Sequence, residues 1–420
     1  MLRVGILFAL AATAVAAPPV SLQLAEDTAL ANHPQISAAL LSAVASNEVV
    51  REVKSVYEPQ VWAAVTTADA ATGTRLAAGA LNNPSVFDRT AAGLQLSQLI
   101  TDFGRTARLV ASARLRAKAD EAGVDSTRND VLVQVDLAYL AALKAGAVLG
   151  VARETVKARE LLSTQVTKLA EEKLRGGLDV SFTRVQLDDA RLLLTRAQAD
   201  REAALASLAL AMGTATAPEA LADPALPSPP GPDAAPYVRE ALAARPDLDA
   251  LRLSQRAASE FARAEADLSN PTVSALGNAG LVDGDPKQFR DPYSAVAVNV
   301  SVPVFNGGLF SARKKEARAR AQLADERVRD LANRVTADVR VAWLNARTAY
   351  ERLTLAADQV SAARQAYDLT QGRYAMGLSS VVDLAQAQAA RTAAEIQEAG
   401  ARYDAMTQVA VLRHHVGRMR

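Results

Sequence analysis

Residues 106–175 read TARLVASARLRAKADEAGVDSTRNDVLVQVDLAYLAALKAGAVLGVARETVKARELLSTQVTKLAEEKLR. Residues 310–374 contain KKEARARAQLADERVRDLANRVTADVRVAWLNARTAYERLTLAADQVSAARQAYDLTQGRY. Neither run holds a proline, and both are dominated by Ala, Leu, Arg, Glu, Lys and Gln, the strong helix formers. At 1.5 Å of rise per residue each helix would be roughly 100 Å long. Ordinary globular helices are several-fold shorter, so runs of this length point to coiled coils or another extended packing.

Outward from these runs the chain repeats itself. Pro34 and Pro246 lie 212 residues apart, as do Pro59 and Pro271. Asp102-Phe103-Gly104 precedes Asn306-Gly307-Gly308 by 204, the offset that also separates Tyr139 from Trp343. Gly177-Leu178 and Gly377-Leu378 are 200 apart, and so are Gln186 and Gln386, Ala190 and Ala390, and Arg191 and Arg391. Small insertions in loops and turns account for such a drift.

Each copy begins with a helix, over 22–57 and again over 237–269. Pro34 interrupts the first, because it lacks a backbone donor and disfavours helix before it. Arg245-Pro246 stands near the start of the second. Extended runs follow at 60–67 and 90–100, and at 272–277 and 293–302. Residues 293–302, YSAVAVNVSV, alternate most clearly: Val296, Val298, Val300 and Val302 on one face, Ala297, Asn299 and Ser301 on the other. Long loops rich in Gly, Ala, Asn, Asp and Pro, ADAATGTRLAAGALNNPSVFDR and GNAGLVDGDPKQFRDP, join the strands of each pair. The turns at Asp102, Gly104, Asn306, Gly307 and Gly308 lead into the long helices. Breaks at Gly176-Gly177-Leu178 and Met376-Gly377-Leu378 precede return helices over 183–212 and 381–415. Residues 18–213 and 237–420 are thus two repeats, joined by a linker, 214–236, that holds seven prolines.

The N-terminus, MLRVGILFALAATAVAAPP, has a basic start at Arg3, an apolar stretch over Val4–Ala12 and small residues before Pro18. It reads as a secretory signal peptide over 1–17, cleaved after Ala16 or Ala17. No later segment reads as apolar enough for a membrane helix.

Composition narrows the function. Aromatics are 4% and hydrophobics 50% of the chain, much of the latter alanine, which suits closely packed helices better than one thick core. A net charge of +1 spread over mixed-sign helical faces gives no support for nucleic-acid binding. Absence of cysteine removes disulfides, cysteine metal sites, cysteine nucleophiles and a lipidated N-terminal cysteine. His414 and His415 are adjacent and so do not share a helix face, which makes them a poor ligand pair. Neither GxSxG nor a P-loop occurs, so the reading is of a non-enzyme without cofactor or metal.

Four strands cannot close a barrel, and open sheet edges cannot sit in lipid. Three chains would pool twelve strands, with the valine face toward lipid and the Asn299/Ser301 face toward water. Three stretches are distinctive: Leu96-Ser97-Gln98-Leu99-Ile100 leading into Asp102-Phe103-Gly104, Val302-Pro303-Val304-Phe305-Asn306-Gly307-Gly308, and residues 374–387, YAMGLSSVVDLAQA. By these stretches the chain resembles the TolC-like outer membrane factors, the exit ducts of tripartite efflux pumps and type I secretion systems. The third matches the family's Tyr-x-x-Gly, five-residue gap, Asp-x-x-x-Ala pattern. The resemblance covers nearly the whole mature chain.

The resemblance implies a mixed α/β membrane protein, a homotrimer with a 12-stranded β-barrel in the outer membrane and an α-helical barrel in the periplasm. It implies a passive conduit whose partners are outer membrane lipid, a periplasmic adaptor, and an inner-membrane pump of the RND, ABC or MFS type. Gly176, Gly177, Leu178, Met376, Gly377, Leu378 and Ser379 would form the tip that meets the adaptor. Gly177 and Gly377 serve an ordinary helical hairpin equally well, since a tight turn needs a residue free to take positive φ. Asp179, Thr183, Arg184, Tyr374, Asp383 and Gln386 are candidates for constricting the entrance. Ser379, Gln386 and Thr183 stand where the family often has charged residues. Asp383 has a second reading as a cap in the first turn of the return helix. The alternatives to a duct are a periplasmic coiled-coil scaffold, which needs no amphipathic strand pairs, and a pump adaptor, which carries one hairpin rather than two.

Overall fold

A computed structural model of the chain describes residues 19–69, 71, 89–284 and 291–419. The expected signal peptide and most of the first inter-strand loop lie outside the described residues. The elements run α1 (Leu22–Asn32), α2 (Pro34–Lys54), β1 (Gln60–Ala68), β2 (Arg89–Thr101), α3 (Arg105–Glu171), α4 (Gly177–Met212), α5 (Ala235–Ala244), α6 (Pro246–Ala266), β3 (Thr272–Gly284), β4 (Asp291–Ser301), α7 (Leu309–Ala375) and α8 (Val381–Val416). Both Pro34 and Pro246 start a new helix rather than bending an old one. The chain divides into two units: Ala38–Asp125 with Pro246–Asn333, and the remainder.

The first unit holds the sheet. Its order is β1-β2-β3-β4, all antiparallel, so β1 and β4 are both edges. The register places Val61 opposite Leu96, Leu94 opposite Ala279, Leu281 opposite Pro292 and Gly277 opposite Val296. Directly paired residues share a face. One face therefore carries Val61, Val65, Leu94, Leu96, Leu281, Val296 and Val298, all exposed. The other carries Gln60, Gln95, Ser97 and Asn278, and Trp62 Nε1 donates to Gln95 Oε1 at 2.6 Å. A single chain thus shows solvent an apolar sheet face and two unpaired edges.

The stretch expected as loop from Gly277 is strand as far as Gly284. Its small residues fit an aromatic rather than a turn. Gly280 pairs with Gly93 on one side and Tyr293 on the other. A Cβ on Gly280 would stand 2.4 Å from the Ala92 carbonyl oxygen and 2.8 Å from the Tyr293 hydroxyl, and one on Gly93 2.7 Å from that hydroxyl. Both glycines leave room for the tyrosine to lie across the strands. Beneath the sheet, buried Glu265 takes two bonds from Arg313, at 2.7 and 3.0 Å, and Arg108 pairs with Asp267 at 2.8 Å.

In the second unit, Val131, Val135 and Tyr139 of α3 pack with Ala25 and Ala29 of α1 and with Leu208 and Met212 of α4. One window in α3 is long and apolar enough to pass as a membrane span. The expectation that no later segment reaches that length does not hold for α3, although 39% of that window is buried inside the protein. The linker is fastened by side chains. The Tyr139 hydroxyl lies 2.7 and 2.6 Å from the Val20 and Ala222 carbonyls, Trp343 Nε1 donates to the Gly231 carbonyl at 2.8 Å, and the Tyr350 hydroxyl meets the Pro227 carbonyl. Prolines supply acceptors without donors, so the surrounding helices provide the N–H and O–H groups.

The repeat is stricter than the sequence suggested. The ranges of α3 and α7 differ by 204 at both ends, as do those of α4 and α8. The drift to 200 is a coincidence of similar letters. Lys173 is the counterpart of Gly377, and Gly177 is the counterpart of Val381.

Candidate functional site: the two hairpin tips

Two helical hairpins, α3–α4 and α7–α8, each end in a turn of five residues. At the end of α3, Lys173 N donates to Ala170 O at 3.0 Å and Leu174 N to Leu169 O at 2.8 Å. At the end of α7, Gly377 N donates to Tyr374 O at 3.0 Å and Leu378 N to Arg373 O at 2.8 Å. This pairing closes a helix through one left-handed residue. That residue is Gly377 at φ 74° in the second turn and Lys173 at φ 64° in the first. Gly177 is therefore not the left-handed residue of its turn. It opens α4, and Gly176 is the N-cap, with extended backbone and no side chain to cap with.

The second turn has a full capping box. Asp383 N donates to Ser380 Oγ at 3.1 Å, and Ser380 N to Asp383 Oδ2 at 2.9 Å. Ser379 Oγ donates to the same carboxylate oxygen at 3.1 Å. The bonds from the Ser380 backbone, the Ser380 hydroxyl and Ser379 hold the Asp383 carboxyl below the usual range. Here Asp383 acts as a cap.

An apolar cluster joins the two hairpins. Val166 of α3, Tyr374 of α7, and Val381 and Leu384 of α8 are buried together, with Val180 and Phe182 of α4 packed against them. Arg175 crosses from the first turn to the second. Its guanidinium carbon lies 4.5 Å from the centre of the Tyr374 ring, and Nη2 is 3.4 Å from the Tyr374 carbonyl. Burial pushes the Tyr374 hydroxyl pKa up, Arg175 pulls it down, and Asp179 pushes it up again.

Of the constriction candidates, Tyr374 lies under the Arg175 guanidinium, and Asp179 is near enough to act on the Tyr374 hydroxyl. Thr183 is buried and spends its hydroxyl on the Val180 carbonyl at 3.0 Å. Arg184 and Gln386 are exposed. The apolar tip residues Leu174, Leu178, Met376 and Leu378 are all exposed, Leu178 to 82%.

Sequence reasoning missed Arg175 as a contact, Lys173 as the turn residue, and Arg159. Arg159 is 5% exposed on α3, with Nη2 3.4 Å from the Ala385 carbonyl of α8. Holding the offset at 204 through the turn would have found Lys173. The others depend on which helix faces meet, which one strand of letters does not carry.

The turns into the long helices repeat the same theme. Asp102 caps α3 through Thr106 N at 2.7 Å and Gly104 N at 3.2 Å, while Asn306 accepts from Leu309 N through its carbonyl at 3.2 Å. Phe103 takes φ 54° where Gly307 takes φ 62°, and Gly104 and Gly308 are both left-handed.

A family model described as outer membrane efflux protein matches residues 26–214 and 237–418. The outer membrane efflux protein BepC of Brucella suis biovar 1 is 23% identical over 381 residues, covering 89% of this chain and 80% of that protein. Among solved structures, the CmeC outer membrane channel of Campylobacter jejuni superposes with a TM-score of 0.81 at 16% identity, covering 94% of this chain and 85% of that one. The outer membrane protein VceC of Vibrio cholerae superposes at 0.80 with 17% identity, covering 94% and 96%.

Proposed function

The chain belongs to the outer membrane efflux protein family, and from that premise we propose that it is the outer membrane exit duct of a tripartite efflux or type I secretion system. One observation carries the reading: a four-stranded sheet with an exposed apolar face and two open edges, β1 and β4. Such edges cannot remain unpaired in lipid, where each unsatisfied backbone group costs several kcal/mol. Pairing β4 of one copy with β1 of the next removes every edge, and three copies give twelve strands, an even number within the range of outer membrane barrels. The apolar face then meets lipid and the Gln95/Asn278 face meets water.

The hairpins extend into the periplasm, and their tips dock onto an adaptor coupled to an inner-membrane pump. The exposed leucines and Met376 supply the apolar contact. Tyr374, Arg175 and Asp179 lie where the entrance narrows. The protein performs no covalent chemistry; it conducts what the pump delivers.

The test is the protein mass of the detergent-extracted outer membrane form, measured by light scattering that separates protein from detergent. A three-chain mass supports the duct. A soluble monomer or dimer in the periplasmic fraction overturns it in favour of a scaffold.

A further inference from the structure

The water-side face of the sheet carries two aromatic rings in adjacent rows. Trp62 pairs with Gln95, Gln95 with Asn278 and Asn278 with Ala295. In the next row Ala64 pairs with Gly93, Gly93 with Gly280 and Gly280 with Tyr293. On the other side of the Trp62 row stand Gln60, Ser97, Leu276 and Ala297. None of these rows contains Asp, Glu, Lys or Arg, in a chain that is 22% charged, so this patch of wall is neutral.

Both rings lean toward β2, from opposite edges of the sheet. Trp62 on β1 is tied through Nε1 to Gln95 Oε1 on β2. Tyr293 on β4 reaches across β3. Its hydroxyl is the atom that a Cβ on Gly280 or on Gly93 would meet, at 2.8 and 2.7 Å. Neither glycine takes a positive φ, so no turn calls for it. Glycine inside a strand weakens the strand. What the pair provides here is a bare strip of backbone beneath the tyrosine. The rings remain open to solvent, Tyr293 to 39% and Trp62 to 45%.

We propose that Trp62 and Tyr293 form a stacking shelf on the barrel wall, a weak binding site for planar, uncharged aromatic solutes in transit. This rests on the duct reading, which turns this face to water, and it deepens that reading by naming a class of cargo. Flat rings are held by offset stacking. Aromatic platforms accept many ligands, because every planar ring has a π face. The exposed amides of Gln95 and Asn278 beside the indole supply hydrogen bonds to ring heteroatoms or hydroxyls. No fixed charge in these rows selects a cation or an anion. The shelf is open on one side, so residence is brief. Conduction needs a site favourable enough to enter and weak enough to leave.

The probe is caffeine, a flat, neutral and very water-soluble heteroaromatic. Sucrose, neutral but not planar, is the control. Saturation-transfer difference NMR on the full-length protein in detergent reads the binding of each. Tyr293→Leu and Trp62→Leu are each expected to lower caffeine affinity about fivefold. Tyr293→Phe keeps the ring and should keep the affinity. Sucrose should give no saturable signal. Thermal unfolding followed by circular dichroism identifies a variant that misfolds. Should Tyr293→Leu fail to fold, Trp62→Leu on the edge strand carries the test.

Equal caffeine affinity in the wild type and the folded leucine variants overturns the shelf. So does a folded wild type without a saturable caffeine signal, or a sucrose signal that is lost with the same rings. A merely structural role for the rings would shift the unfolding temperature and leave caffeine affinity unaltered. The mass by light scattering decides the duct separately. A three-chain protein that ignores caffeine keeps the duct and loses the shelf. A single soluble chain that binds caffeine through these rings keeps the site and loses the duct.

Discussion

Lys173 at φ 64° occupies the backbone position that Gly377 occupies at φ 74°, 204 residues later. Gly176, with nothing to cap with, stands where Ser380 completes a capping box. Phe103 likewise stands left-handed where Gly307 does. The two halves of the chain share one backbone and differ in how well their residues suit it. An L-residue in the left-handed region pays roughly 1–2 kcal/mol that glycine does not. The α3–α4 tip therefore carries backbone strain and an uncapped helix start, and the α7–α8 tip carries neither. Arg175, which stacks on the Tyr374 ring, sits in the strained turn, two residues after Lys173. Backbone strain lowers local stability, and here it falls in one of two hairpins that share the same residue spacing.

The largest way to break this comparison is to put strain where there is none. Gly377→Val forces a β-branched residue to φ 74°, where open space around the Cβ does not help. We expect a loss of about 2 kcal/mol in local stability, read as faster amide hydrogen exchange at Leu378, whose N–H closes the turn on Arg373. Unchanged exchange at Leu378 would mean that the turn tolerates any residue, and the contrast with Lys173 would lose its meaning.

A second comparison lies further up the helices. Asp136 of α3 is buried, and its counterpart 204 residues on, Arg340 of α7, is exposed. Burial first, then the charge and hydrogen bond of Glu26 on α1, push the Asp136 pKa up to about 8, against a smaller pull from Arg413 on α8. A carboxyl whose folded pKa is raised contributes most below its unfolded value near 3.8, and that contribution is lost as pH climbs toward about 8. Asp136→Asn is expected to flatten the pH dependence of unfolding between about pH 4 and pH 8, leaving the variant ahead at the alkaline end. A denaturation series across that range decides it; parallel wild-type and variant curves would show Asp136 to be ionised throughout.

Lys173→Gly runs in the opposite direction to Gly377→Val. It removes the strain of the first turn and should raise local stability by about 1 kcal/mol, seen as slower exchange at Leu174. If it instead speeds exchange, the lysine stem is packing usefully against its neighbours and the turn is not under strain.

The pattern of what could be read from the letters follows from where each signal resides. Proline-free helix formers over nearly seventy residues mark α3 and α7, because helix propensity sums along a chain. The period-2 valines mark β4 because one face is apolar. The far half of β3 was hidden, since Gly280 is there for the side chain of Tyr293 rather than for a turn. Gly177 misled for a related reason: a Gly-Gly pair draws the eye, while the turn is closed by a lysine whose sequence says nothing of its φ. Asp383 could be read either way, as pore carboxylate or cap, and the 2.9 Å bond from Ser380 N shows the cap. Arg175 and Arg159 gain their roles from contacts between helices, and a repeat in one dimension does not state which faces meet.

The smallest expected effect exchanges the caps. Ser380→Ala removes the bond to Asp383 N and leaves the Asp383 carboxylate with the Ser380 backbone N–H and the Ser379 hydroxyl. It should cost about 1 kcal/mol of helix-start stability. Gly176→Ser places a hydroxyl at the N-cap of α4, where the backbone is already extended at φ −84° and ψ 155°, close to the −81° and 160° of Ser380. Glycine is itself a tolerable cap, so the gain is only a few tenths of a kcal/mol. The Asp383 carboxyl also gives the two tips different acid behaviour. Its folded pKa is lowered, so its contribution is present above its unfolded value and is lost as pH falls through the folded one. Acidification below about pH 4 should therefore speed exchange at the start of α8, and Asp383→Asn should abolish that dependence. The start of α4 should respond less, because Gly176 offers no hydroxyl to complete a box with Asp179. Equal acid sensitivity at both helix starts would place the responsible carboxylate elsewhere and erase this difference between the halves.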